Sequence, residues 1–410
     1  MSQILKKIRV LDLSRILAAP WAAQMLGDLG ADVIKVERPR VGDDSRRFGP
    51  PFLKDHEGRD TTESAFFISA NRNKRSITVD LSRPEGQALV RRLAARCDVL
   101  IENYKVGDLQ RYGLDYESLR AVNPRLIYCS VTGFGQTGPY AARPGYDTVF
   151  QAMSGLMSVT GLPDGVPGGE PMKTGPSLAD ILAGHNAVSA VLAALYYRDT
   201  VSGEGQHLDV SLLDSAVAAM SHYASHYLVS GELPVRRGTE GNGGMPSRLF
   251  HCADEAIVIV AGNNEQFARL CEVLGCAQLV SDPQFASVAL RGRNRQALGA
   301  VLEPAISRWS AADLLQALET AGVPAGPVNN LAQVFEDPQV LARGLAVQAA
   351  CPTSASGSVR MVGYPVRFSG TPVDHYGVPP AIGEHTHEVL REVLELDDVE
   401  IQRLTSAGAI

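Results

Sequence analysis

A chain of 410 residues exceeds what one ordinary hydrophobic core organises, so two or more domains, or one large enzyme domain with insertions, are expected. Hydrophobic residues make up 45% and charged residues 20%, which excludes a disordered or fibrous chain. The net charge of -7, with Lys and Arg scattered, gives no footprint for nucleic acid, yet a few arginines could still line a pocket for a phosphate-bearing small ligand.

The opening MSQILKKIRVLDLS runs directly into a strand-like pattern without the apolar core or cleavage site of a signal peptide, and no apolar run reads as long enough to span a membrane. Six cysteines, at 97, 129, 252, 271, 276 and 351, form no CxxC or metal-type cluster and read as reduced thiols, so a cytoplasmic protein is expected. Over the first 135 residues, β-branched runs alternate with helical patterns: IRVLDL (8–13), ADVIKVE (31–37), SITVDL (76–81), DVLIENY (98–104) and RLIYCSV (125–131). That rhythm predicts a parallel, doubly wound α/β sheet, which binds ligands beyond the carboxyl ends of its strands. Helices are expected at PWAAQMLGDLG (20–30) and PEGQALVRRLAARC (84–97), each with Pro in its first turn.

Residues 145–230 read as helical except for HLDVSLL (207–213), with an Ala-rich stretch at AVSAVLAALYY (187–197). GELPVRRGTEGNGGMP (231–246) concentrates Gly, Pro and charge and reads as an exposed loop, after which a smaller α+β region runs to about 330. VRMVGYPVRF (359–368) is strand-like and THEVLREVL (386–394) helical. The expected division is a large domain over 1–205, a linking helix over 206–230, a small domain over 231–330, and a return to the large domain over 331–410.

Among chemical motifs, GFGQTG (133–138) matches the dinucleotide fingerprint but is followed by Pro139 and AARPG where a helix should begin, so it reads as a turn and not an NAD site. His222 and His226 lack the acid of HExxH, and like His385 and His387 they read as surface residues, so no metal is expected. GPSLADILAGHNA (175–187) reads as a helix start with Ser177 as N-cap and Asp180 three residues on. The pattern alone favours simple capping, although the helix dipole and free amides there would also hold a carboxylate nucleophile ionised. Tyr146 and Asp147 begin another helix, and Arg38, Arg83 and Arg111 sit where phosphates could bind or where a charge is simply solvated.

Taken together, LDLSRILAAPWAAQMLGDLGADVIKVERP, NRNKRSITVDL, VLIENYKVGDLQRYGL, GFGQTGPY, PGYDTVFQAMSG, GPSLAD, GVPAGPVNN and GEHTHEVL resemble, from end to end, the family III CoA-transferases of the CaiB/BaiF type. The likeness is strongest to the branch using succinyl-CoA and dicarboxylates such as glutarate, with formyl-CoA:oxalate CoA-transferase more distant. It implies a Rossmann-like large domain, a smaller α+β domain and an interlocked homodimer. It also implies acyl-CoA donor and carboxylic acid acceptor as substrates, with no permanently bound cofactor. The family's nucleophile falls on Asp180, with Tyr146 and Asp147 in supporting places.

The positions matching the family's CoA contacts are Ile16, Leu17, Ala18, Arg38, Val79, Arg83, Asn103, Tyr104, Arg111 and Tyr112, and its shielding loop falls on Gly241, Gly243 and Gly244. Two departures mark the acceptor pocket as reshaped. Position 17 is Leu where the oxalate enzyme has glutamine, and RRGTEGNGGMPSRLF (236–250) lacks a usual His near Gly241 and has Ser247 where a Tyr is usual. Arg236, Arg237 or Arg248 could then pair with a distal carboxylate. The related racemases carry a histidine at the place of Tyr146, and a phenol is a poor base, so transfer is favoured over racemisation, with an inactive CoA-binding homologue as a third alternative.

Overall fold

The computed structural model of the protein describes residues 4–241 and 243–410. They divide into two compact units, one formed by the chain up to Met157 with Lys173–Leu233 and Gln339–Ile410, the other by Ser158–Met172 and Pro234–Pro338. In chain order come β1 (Arg9–Asp12), α1 (Ala18–Asp28), β2 (Asp32–Glu37), a hairpin of β3 (Phe52–Lys54) and β4 (Asp60–Ser64), and then α2 (Ala65–Ala70) and β5 (Lys74–Thr78). They are followed by α3 (Pro84–Ala94), β6 (Val99–Glu102), α4 (Tyr116–Arg120), β7 (Ile127–Thr132), α5 (Asp147–Met153) and α6 (Leu156–Val159). The long α7 (Leu178–Tyr197), β8 (His207–Ser211), α8 (Leu212–Ala219) and α9 (Ser221–Ser230) come next.

Six strands make one parallel sheet in the order β5-β2-β1-β6-β7-β8. Alternation along each strand sends neighbours to opposite faces, which is why both faces of this sheet are covered. Val10, Val99, Ile101, Ile127, Cys129, Val131 and Val210 pack with α1, α7 and α8 on one side. Leu11, Ile34, Ile77, Leu100 and Tyr128 pack on the other with α3 and with two C-terminal helices, Thr386–Leu394 and Asp398–Ser406. The chain reverses direction of growth between β1 and β6, and a crevice at such a reversal is where open α/β sheets take ligands.

Two expectations need correction. Residues 206–230 are not one linking helix: the apolar Val210 draws 207–211 into the sheet beside β7, and the Ser211 side chain caps α8 by accepting from the Asp214 amide. The second concerns membrane-spanning length. Leu178–Ser202 runs 25 residues and contains an 18-residue stretch of mean hydropathy 1.5, long and apolar enough by length and composition to cross a membrane. Here one side of α7, including Ala179, Ala183, Ala187 and Val191, is buried in the core of the first unit.

The second unit has its own core. Its antiparallel sheet sets Ala256–Val260 between Ser247–His251 and Ala325–Pro327. Phe250, Ile257 and Ile259 pack against Phe267, Leu270, Leu302, Leu314 and Leu318 from three helices.

Candidate active site

Helices α1 and α7 lie close because Gly184 permits it: a Cβ there would come within 2.8 Å of the Ala18 carbonyl oxygen and 3.0 Å of Trp21 Cδ1. Their N-terminal ends meet, and each end leaves amide protons without intrahelical partners. The carboxylate of half-buried Asp180, in the first turn of α7, accepts from the Ala18 N–H at the start of α1. The Ala179 N–H of α7 donates to Asp147 Oδ1 at 2.8 Å, from the first residue of α5. Each helix is thus capped by an acid from another element, and the positive ends of two helix dipoles face one spot.

The capping expected from Ser177 does not form, for its side chain makes no cap hydrogen bond and Asp147 takes that role. Nor is Asp180 held ionised as a helix-terminal acid would be. Burial first, and the negative charge of Asp147 second, push its carboxyl up to about 7, against the Ala18 amide. An acid poised near neutrality in a recessed site suits a catalytic carboxylate.

The turn entering α1 is strained and braced. Ile16, β-branched, sits at φ 74°, a conformation costly for such a residue. Its N–H donates to Asp43 Oδ1 at 3.1 Å, while the flanking Arg15 N–H and C=O are both held by the Asn103 side-chain amide, at 2.9 and 2.6 Å. Beneath lies a fully buried ionic cluster. Lys35 Nζ is 2.9 Å from Asp43 and donates to the Ser14 carbonyl at 2.9 Å, and Lys74 reaches Asp12 at 2.8 Å and the Pro20 carbonyl at 2.9 Å. Although burial opposes it, the Lys35 charge and the donated hydrogen bonds hold the Asp43 carboxyl down to about 2. Burial brings Lys74 down to about 8, against the pull of Asp12. Sequence reading missed this cluster and Gln151, which donates to Asp147 at 2.6 Å; the i, i+4 spacing of Asp147 and Gln151 on α5 was the available signal.

The expected CoA-contact positions fall at the carboxyl ends of the strands, but not all offer side chains. Ile16, Leu17 and Ala18 form the braced turn, and Arg15 links it to its neighbours: its guanidinium lies 2.9 Å from Asp44 and 5.3 Å from the centre of the Tyr104 ring. Half-exposed Arg38 holds the other Asp44 oxygen at 2.7 Å. The Asn103 side chain is hydrogen-bonded to the Arg15 backbone, and the Val79 side chain is buried in the core. Arg83 begins α3, 3.8 Å from Asp80, and Arg111 lies 4.7 Å over Tyr112, both largely exposed. Tyr146 is 71% exposed. After β7, Gly133 leads into a turn, and the next helix, α5, starts only at Asp147.

In the second unit, Gly244 has a backbone reason to be glycine, since a Cβ would lie 1.8 Å from the Gly262 carbonyl oxygen. Gly241 donates its N–H to the Ser247 carbonyl at 2.9 Å, Gly243 has open space, and Asn242 between them lies outside the described residues. Arg248, expected to be available for an acceptor carboxylate, is paired with Glu303 and lies 3.9 Å from Glu240, over the Phe250 ring. Arg236 is paired with Asp164, and half-buried Arg237 has no ion pair among the described residues.

A recessed carboxylate of raised pKa where the first turns of two helices meet is the kind of group a covalent carboxylate catalyst uses. Residues 5–386 match the model of CoA-transferase family III, and the chain belongs to that family: it is a CoA-transferase. It is 47% identical over 390 residues to the succinate–glutarate CoA-transferase of Agrobacterium fabrum, covering 95% of each chain. It is 42% identical over 406 residues to the succinyl-CoA:glutarate CoA-transferase of Homo sapiens, covering 99% of this chain and 90% of that one. A CaiB/BaiF family protein of Brucella suis has a solved structure that superposes with a TM-score of 0.85 at 45% identity, covering 96% of this chain and all of that one.

Proposed function

We propose that the enzyme moves CoA from succinyl-CoA to a small dicarboxylate such as glutarate or itaconate, through covalent intermediates on Asp180. The observation that carries this reading is the Asp180 carboxyl, raised to about 7 and hydrogen-bonded to the first amide of α1. An ionised Asp180 oxygen attacks the thioester carbon and expels CoA as thiolate, leaving a mixed anhydride. The thiolate then attacks the aspartyl carbonyl and releases the donor acid, giving an aspartyl thioester. The acceptor carboxylate repeats the two steps in reverse, so one side chain serves both halves and thioester is exchanged for thioester with little net free-energy change.

Each attack builds negative charge on a carbonyl oxygen, which the converging helix ends stabilise. The carboxylate's raised pKa favours attack, since a poorly solvated anion regains stability when its charge moves to the leaving group. An anhydride must be kept from water, and the role assigned to Gly241, Gly243 and Gly244 is to shield it. Arg38, Arg83 and Arg111, with Tyr104 and Tyr112, are assigned to the CoA nucleotide and its phosphates, and Ile16, Leu17 and Ala18 to the pantetheine end. Asp147 positions and Tyr146 borders the reacting group, and Arg237 replaces Arg248 as the candidate partner of the distal acceptor carboxylate. A Rossmann-like large domain and a homodimer complete the proposal.

The test follows product acyl-CoA by chromatography with succinyl-CoA and glutarate, itaconate, malate or oxalate. Wild type should convert one dicarboxylate fastest, and Asp180→Ala should lose at least about a thousandfold in rate while binding CoA as before. Comparable turnover by Asp180→Ala would overturn the reading.

A further inference from the structure

We propose that Gln151 is a positioning residue for transfer, holding Asp147 in the orientation that caps α7 and faces Asp180. This rests on the reading of Asp180 as the nucleophile. Gln151 is fully buried in α5, four residues after Asp147, and its amide has no freedom of orientation. Its Oε1 accepts from the Thr174 N–H at 2.9 Å and from the Thr174 hydroxyl at 3.2 Å. A backbone N–H is a donor only, so the oxygen must lie on that side and the NH2 group must point the other way. That NH2 group donates to Asp147 Oδ2 at 2.6 Å and weakly to the Pro176 carbonyl at 3.4 Å. With Oδ2 fixed, Oδ1 is left facing the Ala179 amide.

The amide therefore joins α5 to the segment 174–176 that leads into α7, and it does so through the acid beside the nucleophile. Asp147 satisfies the Ala179 N–H and supplies negative charge next to Asp180. That charge keeps the Asp180 carboxylate reactive in place of stabilised. The charge acting on Asp180 is that of Asp147; from α1 it meets the Ala18 amide. His185, farther along α7, lies against Trp21, and Asp214 in the first turn of α8 has its amide bonded to Ser211; neither is among the influences on Asp180.

Two variants separate this role from ordinary helix support. Gln151→Met keeps the volume and removes both hydrogen-bonding functions, so Asp147 is released and its charge is no longer held beside Asp180. Gln151→Glu can still accept from Thr174, and it can donate to Asp147 only while it carries a proton. The measurement is the rate of covalent labelling by succinyl-CoA from pH 5 to 9, read by intact-protein mass, with CoA affinity and circular dichroism alongside. Wild type should rise to a plateau with a midpoint near 7. Gln151→Met should lose about tenfold or more of the plateau and move the midpoint down by about one unit, with CoA affinity within about threefold. Gln151→Glu should rise and then fall again at high pH, as its own ionisation repels Asp147.

If Gln151→Met labels with the wild-type midpoint and plateau, the positioning role is wrong while Asp180 stands. Should Gln151→Met fail to fold, a Gln151→Glu profile identical to that of wild type would be equally fatal. Absence of labelling in wild type at every pH would instead overturn Asp180 as nucleophile, and the role of Gln151 with it.

Discussion

A carboxyl whose folded-state pKa is raised binds its proton more tightly in the native chain than in the unfolded one. For Asp180, with an ordinary value of 3.8 and about 7 in the folded protein, the stabilisation is fully present below pH 4 and is lost as pH rises through 7. Above that pH the native state bears the cost of an ionised, poorly solvated acid, about 4 kcal/mol for a shift of this size. Asp180→Asn keeps a neutral side chain of the same shape at every pH. It should be more stable than wild type at pH 8 in urea unfolding, with a smaller difference at pH 5; an equal difference at both would show that Asp180 is not strained by its charge. The acid itself was visible in the sequence as a member of S-x-x-D. Its environment was not, because that pattern is local, whereas the acid that caps the Ala179 amide comes from 32 residues upstream.

Elements meet at this site through backbone contacts that a linear pattern does not encode. The turn between β1 and α1 presents Ala18 to Asp180 only while Ile16 keeps its left-handed conformation, and Asp43 holds both the Ile16 amide and Lys35. Asp43→Ala strands the Lys35 charge in the interior and frees the strained turn together. A loss of about 3–5 kcal/mol in unfolding free energy is expected, as for other buried ion pairs broken from one side, with weakened CoA binding. Unchanged stability and CoA affinity would remove Asp43 from the account. ADVIKVE was read as a strand, with nothing in its pattern to mark Lys35 as a buried charge. Its partner lies in the loop beyond β2, which periodicity does not reach, so the strand was legible and its buried charge was not. In α7 the Ala-rich stretch was legible as helix, but Gly184, which lets α1 approach, was not singled out in the sequence.

At the scale of the molecule, five of the six parallel strands were legible as β-branched runs, whereas β8, separated from them by α7, was not placed in the sheet. Sheet order brings together residues far apart in sequence, and the site consists of Ala18 after β1, Asp147 after β7 and Asp180 on the helix before β8. The family follows from the whole chain and no single motif, in keeping with a site assembled from three separate segments. The central claim is that this assembly makes Asp180 a covalent carrier. Its most direct test is the intact mass of wild type and Asp180→Ala after brief mixing with succinyl-CoA and an acid quench. A mass increase of CoA size on wild type alone, discharged by an acceptor dicarboxylate, is the result predicted. No adduct on wild type, with succinyl-CoA still turning over to product, would contradict it.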